Sequence, residues 1–374
     1  MSTYATENRG FMLNMGPQHP STHGVLRLEV WCDGEVVSRA IPDIGYLHRC
    51  KEKVAEGETY FKFTPYTDRL DYIAAMNQNL GYCIAVERLA GIEVPDRAEH
   101  IRVIVAELNR IASHLLAFGT YGIDLGAFTP FLYAFRERES VLDIFEHLCG
   151  ARLTYAYVYI GGVMRDISPE ILGMIADFLD YFEPKLDEYD RLLSYNQIFL
   201  KRTANIGVLP AKMAVNYGCS GPVLRASGVN WDLRRDDPYG IYDQFEWDVV
   251  VGTGEVGTMG DNWDRYIVRL REIRESIRIL RQVIERVPKG PYQSKLPARL
   301  KPKYNEVYCR TETPRGELGF YLVADGGVAP WRCKVRSPSF SNLQVVEALA
   351  PGLMIADLVA VLGSVDIVMG DVDR

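Results

Sequence analysis

Two histidines packed into one loop are the first residues of this chain that could do chemistry. The run GPQHPSTHG, residues 16–24, crowds two prolines, two glycines, His19 and His23 into nine positions, which excludes regular structure. A loop leading into a strand at Val25 is expected, with Gly24 permitting unusual backbone geometry beside His23. Imidazole donates or accepts a hydrogen bond and changes protonation near neutral pH, so a positioned His23 suits holding a carbonyl and handing it a proton. The plainer alternative is a structural histidine satisfying loop backbone, and for His19 that alternative is the stronger.

Two further residues fit the same chemistry. Tyr72, in TDRLDYIAAM, is expected in the first turn of a helix beside Asp71, on the face of Ala75, Met76 and Asn79. Its phenol would be a neutral donor able to bind a carbonyl without bringing charge into an apolar pocket; a core tyrosine is the alternative. Asp124, in GTYGIDLGAF, follows a strong helix between Gly122 and Gly126 and could orient and charge-stabilise a histidine, or simply cap the next helix. Arg315-Gly316-Glu317 and the closing Asp371-Val372-Asp373-Arg374 could also suggest a site, but each signal is weak, and a strand-joining turn and a solvated terminus are the plainer readings. The glycine-rich VGTGEVGTMG, residues 251–260, lacks the strand, spacing and following Lys-Ser/Thr of a nucleotide fingerprint, so nucleotide binding is not expected.

The elements that must position these residues follow from periodicity. Residues 11–44 alternate apolar and polar, with Asp33-Gly34 as a turn, predicting a β-hairpin or small sheet. From residue 47 the period becomes helical, with Asp68, Asp96 and Asn262 placed as N-caps. Ile101, Ile104, Val105, Leu108, Ile111, Ala112 and Leu115 mark one long amphipathic face, and Tyr266, Ile267, Leu270, Ile273, Ile277 and Leu280 mark another. Residues 201–260 weaken into an elaborate loop region, strand alternation resumes at 304, and a helical stretch follows at 342–362. A single mainly α domain over residues 1–374 is expected: a β-rich part at 1–46, a long-helix bundle at 47–300 and a small C-terminal α/β layer at 301–374.

Composition sets the bounds. At 374 residues with 48% hydrophobic and 24% charged content, a soluble globular chain with a sizeable core is expected. The most apolar stretch, Met354 to Met369, is broken by Asp357 and Asp366, so no membrane-spanning segment is expected. MSTYATENRG has neither a secretory core nor a transit-peptide pattern, which predicts a chain working where it is made. A net charge of −7 speaks against a nucleic-acid partner. The seven cysteines are dispersed, with no C-x-x-C pair, so neither a disulfide framework nor a metal-ligand set is expected.

Taken in order, MGPQHPSTHGVLRL, GYLHRCKEK, PYTDRLDY, AELNRIASHLL, SGPVLRASG, WDLRR, YDRLL and DIVMGDVDR resemble the 49-kDa-type subunit of respiratory complex I, the D-type subunit of the bacterial enzyme, over essentially the whole chain. That family is related to nickel–iron hydrogenase large subunits, which implies the same helical fold. HRCKEK offers only Cys50 and the C-terminal tail no cysteine, so the hydrogenase metal site is lost. The resemblance implies a quinone-binding core subunit that reduces quinone to quinol with electrons from an iron–sulfur cluster in a neighbouring subunit. By position it implies His23, Tyr72 and Asp124 as catalytic, with His23 and Tyr72 on the quinone, and Arg49 and Thr154 near the partner's cluster. Thr154 stands where many members carry histidine, in Gly150-Ala151-Arg152-Leu153-Thr154, and Cys50 stands where glycine is commoner. Implied partners are the cluster-bearing subunit, a C-type neighbouring subunit and the membrane subunit at the quinone entrance. The implied location is peripheral, on the cytoplasmic side of a bacterial inner membrane. Ubiquinone and menaquinone both remain open, as do a ferredoxin- or deazaflavin-dependent relative and a non-catalytic scaffold.

Overall fold

The structure is a computed structural model that describes residues 10–18 and 23–374. Strands β1 (Phe11–Met15), β2 (Arg27–Asp33) and β3 (Val36–Asp43) form an antiparallel sheet in that order, turning from β2 to β3 through Gly34 and Glu35. Alternation puts Leu28, Val30 and Cys32 on the buried face of β2. Pairing Met15 with Leu28 closes the sheet at the end where the His23 loop leaves it.

Helices α1 (Lys51–Gly57), α2 (Tyr60–Thr67), α3 (Ala75–Ala90), α4 (Asp96–Asp124), α5 (Thr129–Cys149) and α6 (Pro169–Tyr189) follow, with a two-strand ribbon, β4 (Val158–Tyr159) and β5 (Gly162–Val163), before α6. Short helices α7 (Gln197–Thr203), α8 (Ala211–Asn216), α9 (Gly221–Ala226) and α10 (Leu233–Asp236) occupy the irregular region, and α11 (Asn262–Arg286) completes the bundle. A second antiparallel sheet, β6 (Asn305–Thr313), β7 (Gly316–Ala324) and β8 (Arg332–Arg336), turns from β6 to β7 at Pro314-Arg315. The chain closes with α12 (Pro338–Leu343), α13 (Val345–Leu349), α14 (Ile355–Val365) and α15 (Met369–Asp373). The expected class, mainly α with a sheet near each end, is the observed one.

Several expected boundaries shift, each for a local reason. Asp96 and Asn262 are first helical residues, not caps; Pro95 precedes one, and Asp261 caps the other by accepting from the Asp264 amide at 2.9 Å. Asp68 ends α2, and its carboxylate accepts from the Ala156 amide at 2.9 Å. Tyr72 lies before α3, not in its first turn. The Asp71 carboxylate takes the Ile73 and Ala74 amides at 3.2 Å each, which holds a turn where helix would otherwise begin. Asp124 is the last residue of α4, and Phe128 precedes α5, so Asp124 does not cap the next helix.

The largest correction concerns charge. The C-terminus is not solvated: Asp371 and Val372 are fully buried, and Asp373 is 6% exposed. The core side of α4 includes Glu107, Arg110 and His114 as well as its apolar stripe. Glu107 accepts from Tyr242 and Ser276 at 2.7 Å each and pairs with Arg110 at 3.2 Å and Arg234 at 3.1 Å. Glu272 on α11 pairs with Arg234 at 2.7 Å, Arg225 at 3.0 Å and His114 at 3.0 Å. Burial, with Asp232 nearby, pushes the Glu312 carboxyl up to about 7, although Arg225 reaches it at 2.7 Å. Helical periodicity identified the apolar stripes of α4 and α11, but their polar positions meet one another across a closed interface. The glycine-rich run 251–260 cradles this chain's own carboxylate, since the Gly254 and Gly260 amides donate to Asp264.

Glu107→Ala leaves two guanidiniums without their shared acceptor, and about 3–5 kcal/mol of destabilisation is expected. A fall in the denaturant midpoint measures it; a midpoint within error of the parent would show that Arg110 and Arg234 rebalance on Glu272.

Candidate functional site

A buried guanidinium organises the site. Arg315, at the β6–β7 turn, donates to Asp71 at 2.8 Å, to the Ser113 hydroxyl at 3.0 Å and to Asp366 at 3.3 Å. These contacts join the turn that carries Tyr72, helix α4 and the segment between α14 and α15. Burial raises the Asp71 carboxyl to about 6, against the pull of Arg315 and with Asp371 and Asp366 adding to the rise. Asp366 is also buried, yet Arg315, Arg269, His114 and His23 together hold its carboxyl below the usual range.

His23 meets Asp124 directly, with Nε2 at 2.6 Å from Oδ2. Burial alone would lower the imidazole's pKa; the Asp124 hydrogen bond and charge, helped by Asp366, outweigh it, and the net shift is upward despite Arg315. The close fit depends on Gly363 of α14, where a Cβ would stand 2.6 Å from Asp124 Oδ2. Of the two histidines in the loop, His19 lies outside the described residues.

Tyr72 and Arg49 line a cleft of about 550 Å³ together with Leu47, Lys51, Val54, Tyr66 and Arg69. Burial, reinforced by the Asp71 charge, raises the Tyr72 phenol, which keeps it a neutral donor at physiological pH. Helix α15 wedges between the Tyr72 turn and the His23 loop. A Cβ at Gly370 would meet Leu70 O at 2.6 Å and the Tyr72 ring at 3.3 Å, while the Met369 side chain packs 3.5 Å from the Cβ position of Gly24. Asp373 accepts the Leu47 amide at 2.7 Å and the Gly45 amide at 2.9 Å, which fixes the segment carrying Arg49.

The structure therefore brings His23 onto Asp124 and Tyr72 beside Arg49, and links the two pairs through Asp71, Arg315, Asp366 and α15. Thr154 is not in the cleft lining. It sits half-buried at φ 51°, in a segment whose Ala156 amide is tied to Asp68, next to Arg69. Among the described residues, seven besides glycine have left-handed φ, and five of them, His23, Cys50, Thr154, Ala156 and Asp366, lie on the segments just described; the others are Asn205 and Arg374. Such strain costs of order 1–3 kcal/mol each and persists where the surroundings over-determine it, commonly at functional sites. Exposed Cys50 has its Sγ 3.5 Å from His48 Nε2, while His48 Nδ1 lies 2.6 Å from the Asp373 carbonyl.

Sequence reasoning passed over Asp366 and Lys51 and set Arg315 aside as part of a strand-joining turn. Asp366 had a readable signal, an acid interrupting an apolar run; the signal at Arg315 was weak, because a PRG turn does not show that its arginine is buried. Among the described residues no group of three or more His, Cys, Asp or Glu side chains is arranged to hold a metal ion. Likewise no described helix is long and apolar enough to cross a membrane.

Comparison with known proteins gives concordant matches. The family described as respiratory-chain NADH dehydrogenase, 49 Kd subunit, matches residues 124–304 and 298–374. The D-type subunit of NADH-quinone oxidoreductase from Chlorobium luteolum is 54% identical over 374 residues, covering 99% of this chain and 94% of that protein. Its counterpart from Chlorobaculum tepidum is 54% identical over 367 residues, covering 97% and 92%. The one from Pelodictyon phaeoclathratiforme is 54% identical over 374 residues, covering 99% and 93%.

Asp124→Asn removes the charge that holds the His23 pKa up, so burial should carry it below the ordinary value of about 6.5. The rate of exchange at the imidazole C2 position against pH, read by mass spectrometry, reports that value residue by residue. The sign for stability follows: because the folded pKa is raised, the pair's protonation-linked stabilisation is complete below about pH 6.5 and is lost as pH rises through the raised value. An unchanged exchange midpoint in Asp124→Asn would contradict the pairing.

Proposed function

This chain belongs to the 49-kDa subunit family of respiratory-chain NADH dehydrogenase, and from that premise we propose that its cleft is where the enzyme's quinone is reduced. The chain is one component of an NADH-quinone oxidoreductase, an oxidoreductase complex, and works with the other subunits of that complex. The observation that carries the reading is the placement of a neutral phenol, Tyr72, at a cleft of about 550 Å³, joined through buried charges to a histidine–carboxylate pair.

In the proposed mechanism the quinone headgroup enters the cleft and accepts a hydrogen bond from Tyr72; His23, which does not line the cleft and lies on the other side of α15, is the proposed second, proton-bearing donor to a headgroup that advances past Tyr72. Electrons reach it from an iron–sulfur cluster held by a neighbouring subunit on the Arg49 side, where a fixed positive charge favours added electrons. Two electrons and two protons convert quinone to quinol. Asp124 keeps His23 protonated and in place until the ring oxygen becomes basic enough to take the proton. Loss of that proton leaves Asp124 facing a neutral imidazole, next to Asp366 and Arg315. This change in charge balance is the proposed trigger for conformational steps coupled to ion pumping elsewhere in the complex. A C-type neighbouring subunit and a membrane subunit at the quinone entrance would complete the surroundings, with the chain peripheral on the cytoplasmic side of the inner membrane.

Tyr72→Phe in the assembled complex keeps the ring and loses the donor. A roughly 10-fold or larger fall in the rate with a short-chain quinone is expected, since each 1.36 kcal/mol of lost stabilisation is tenfold. A normal rate would count against the cleft as the reduction site.

Thr154 carries a second expectation. A hydroxyl cannot take up a proton as a nearby cluster is reduced, so the cluster potential should be lower and depend less on pH than with histidine there, which suits a low-potential quinone such as menaquinone. Asp68, raised by burial to about 7, is the titratable group tied to the same segment. Redox titration across pH is expected to give a steeper slope for Thr154→His than for the parent. Equal slopes would place Thr154 away from the cluster.

A further inference from the structure

Lys51 is a buried cation of the cleft wall whose chemistry the mechanism above leaves unused. It opens α1 and is 6% exposed, while its neighbour Arg49 lies open to solvent. Helical spacing places Lys51 and Val54 together on the cleft side of α1. The acids of that helix turn the other way: Glu52 reaches Lys334 at 3.0 Å and Glu56 reaches Arg332 at 2.9 Å, both on β8. Three cations thus line one wall, Arg49, Lys51 and Arg69, with Tyr66 and Tyr72 as the polar aromatics of the same cleft. Their compensation is thin. Arg69 has Asp68 at 3.4 Å, and among the described residues neither Arg49 nor Lys51 forms an ion pair. The Lys51 ammonium donates to the Arg69 carbonyl oxygen, which occupies one of its three protons.

A clip between α1 and the Arg69 carbonyl would need only a neutral donor. It does not explain a buried cation that shares a cavity edge with two others, where their repulsion acts against the attraction of Asp371. We propose that Lys51 is a substrate-facing residue of this cleft: its ammonium meets a reduced ring oxygen of the bound quinone and gives it one of the two protons of quinol formation. The proposal rests on the reading of the cleft as the quinone site.

The groups that face Lys51 decide its behaviour. Burial, the largest effect, lowers its pKa, Arg49 and Arg69 lower it further, and buried Asp371 on α15 opposes them, for a value of about 8. Lys51 is therefore charged at neutral pH yet able to release a proton there. Negative charge arriving on the ring oxygen is attracted by all three cations and is quenched by the one that can give up a proton, since guanidinium does not. In that step the N–H bond breaks, an O–H bond forms on the ring oxygen, and a neutral amine remains. The electrons come from NADH through the partner redox centres, and the amine regains its proton from water at the cleft mouth.

The test uses the assembled complex, NADH and a short-chain benzoquinone, with kcat and KM followed from pH 6 to pH 9.5. The parent is expected to lose rate on the alkaline side as Lys51 deprotonates. Lys51→Arg keeps the charge and a donor for the Arg69 carbonyl but does not titrate. It is expected to hold KM within about 2-fold, to lower kcat by roughly 10²-fold and to abolish the alkaline fall. Lys51→Gln, a neutral donor that preserves the clip, is expected to raise KM as well. Parental kcat, KM and pH profile in both variants would overturn the proposal and leave Lys51 a structural clip. Tyr72→Phe, run alongside, separates the two failures. If it is impaired while the Lys51 variants are normal, only the Lys51 proposal falls; if all three are normal, the cleft itself is misassigned.

Discussion

The site depends on one buried guanidinium held between acids that are far apart in sequence. Arg315 is 1% exposed and meets Asp71 and Asp366, at positions 244 and 51 residues away. Taking such a charge out of water is costly unless opposite charges and hydrogen bonds surround it, so its partners must come to it. Their arrival fixes the Tyr72 turn, the crossing of α4 at Ser113 and the entry of the C-terminal segment. That segment then does the rest of the positioning. Gly370 lets α15 lie against the Tyr72 turn, and Asp373 takes the Gly45 and Leu47 amides that set up Arg49 and Lys51.

Charge is distributed around Arg315 so that protonation near neutral pH changes the charge balance of the site. Lys51, at about 8, lines the cleft, and Asp71, with its carboxyl at about 6, is buried behind Tyr72, so the two lie on opposite sides of neutrality. His23, lifted by Asp124, adds a third proton-holding group at the far side of α15. A substrate that becomes more basic as it is reduced would find proton donors already in place, and the proposed function asks no more of the geometry than that. Deeper in the bundle, Glu107, Glu272 and Glu312 with Arg110, Arg225 and Arg234 form a second buried network that joins α4, α11 and β6 and reaches the site through His114, which pairs with Glu272 and acts on Asp366.

Much of the architecture was legible because periodicity reports burial. Alternation located the first sheet and its turn to within one residue, Gly34-Glu35 where Asp33-Gly34 was expected, and the stripe from Ile101 to Leu115 located the longest helix. His23, Asp124, Tyr72 and Arg49 were legible as candidates, three from residue type and local punctuation and Arg49 from resemblance. What could not be read was anything set by distant partners. A charged side chain reads as surface unless its counter-ion is known, so Arg315, Asp371 and the acids of α4 and α11 were invisible as buried groups. Tyr72 was misplaced by a few residues because the Asp71 carboxylate, which looks like an ordinary helix-start acid, holds a turn instead. Lys51 was hidden for a further reason: α1 is short, and only the cleft reveals which of its faces matters.

The central claim, that the cleft between α1 and the Tyr72 turn is the quinone site, is tested most directly by photolabelling. The assembled complex would be irradiated with an azido-quinone, and the modified peptides mapped by mass spectrometry, with excess natural quinone as competitor. Competable label on the segments 47–54 and 66–72 is the expected result. Competable label confined to other segments or other subunits, with these two unmodified, would contradict it.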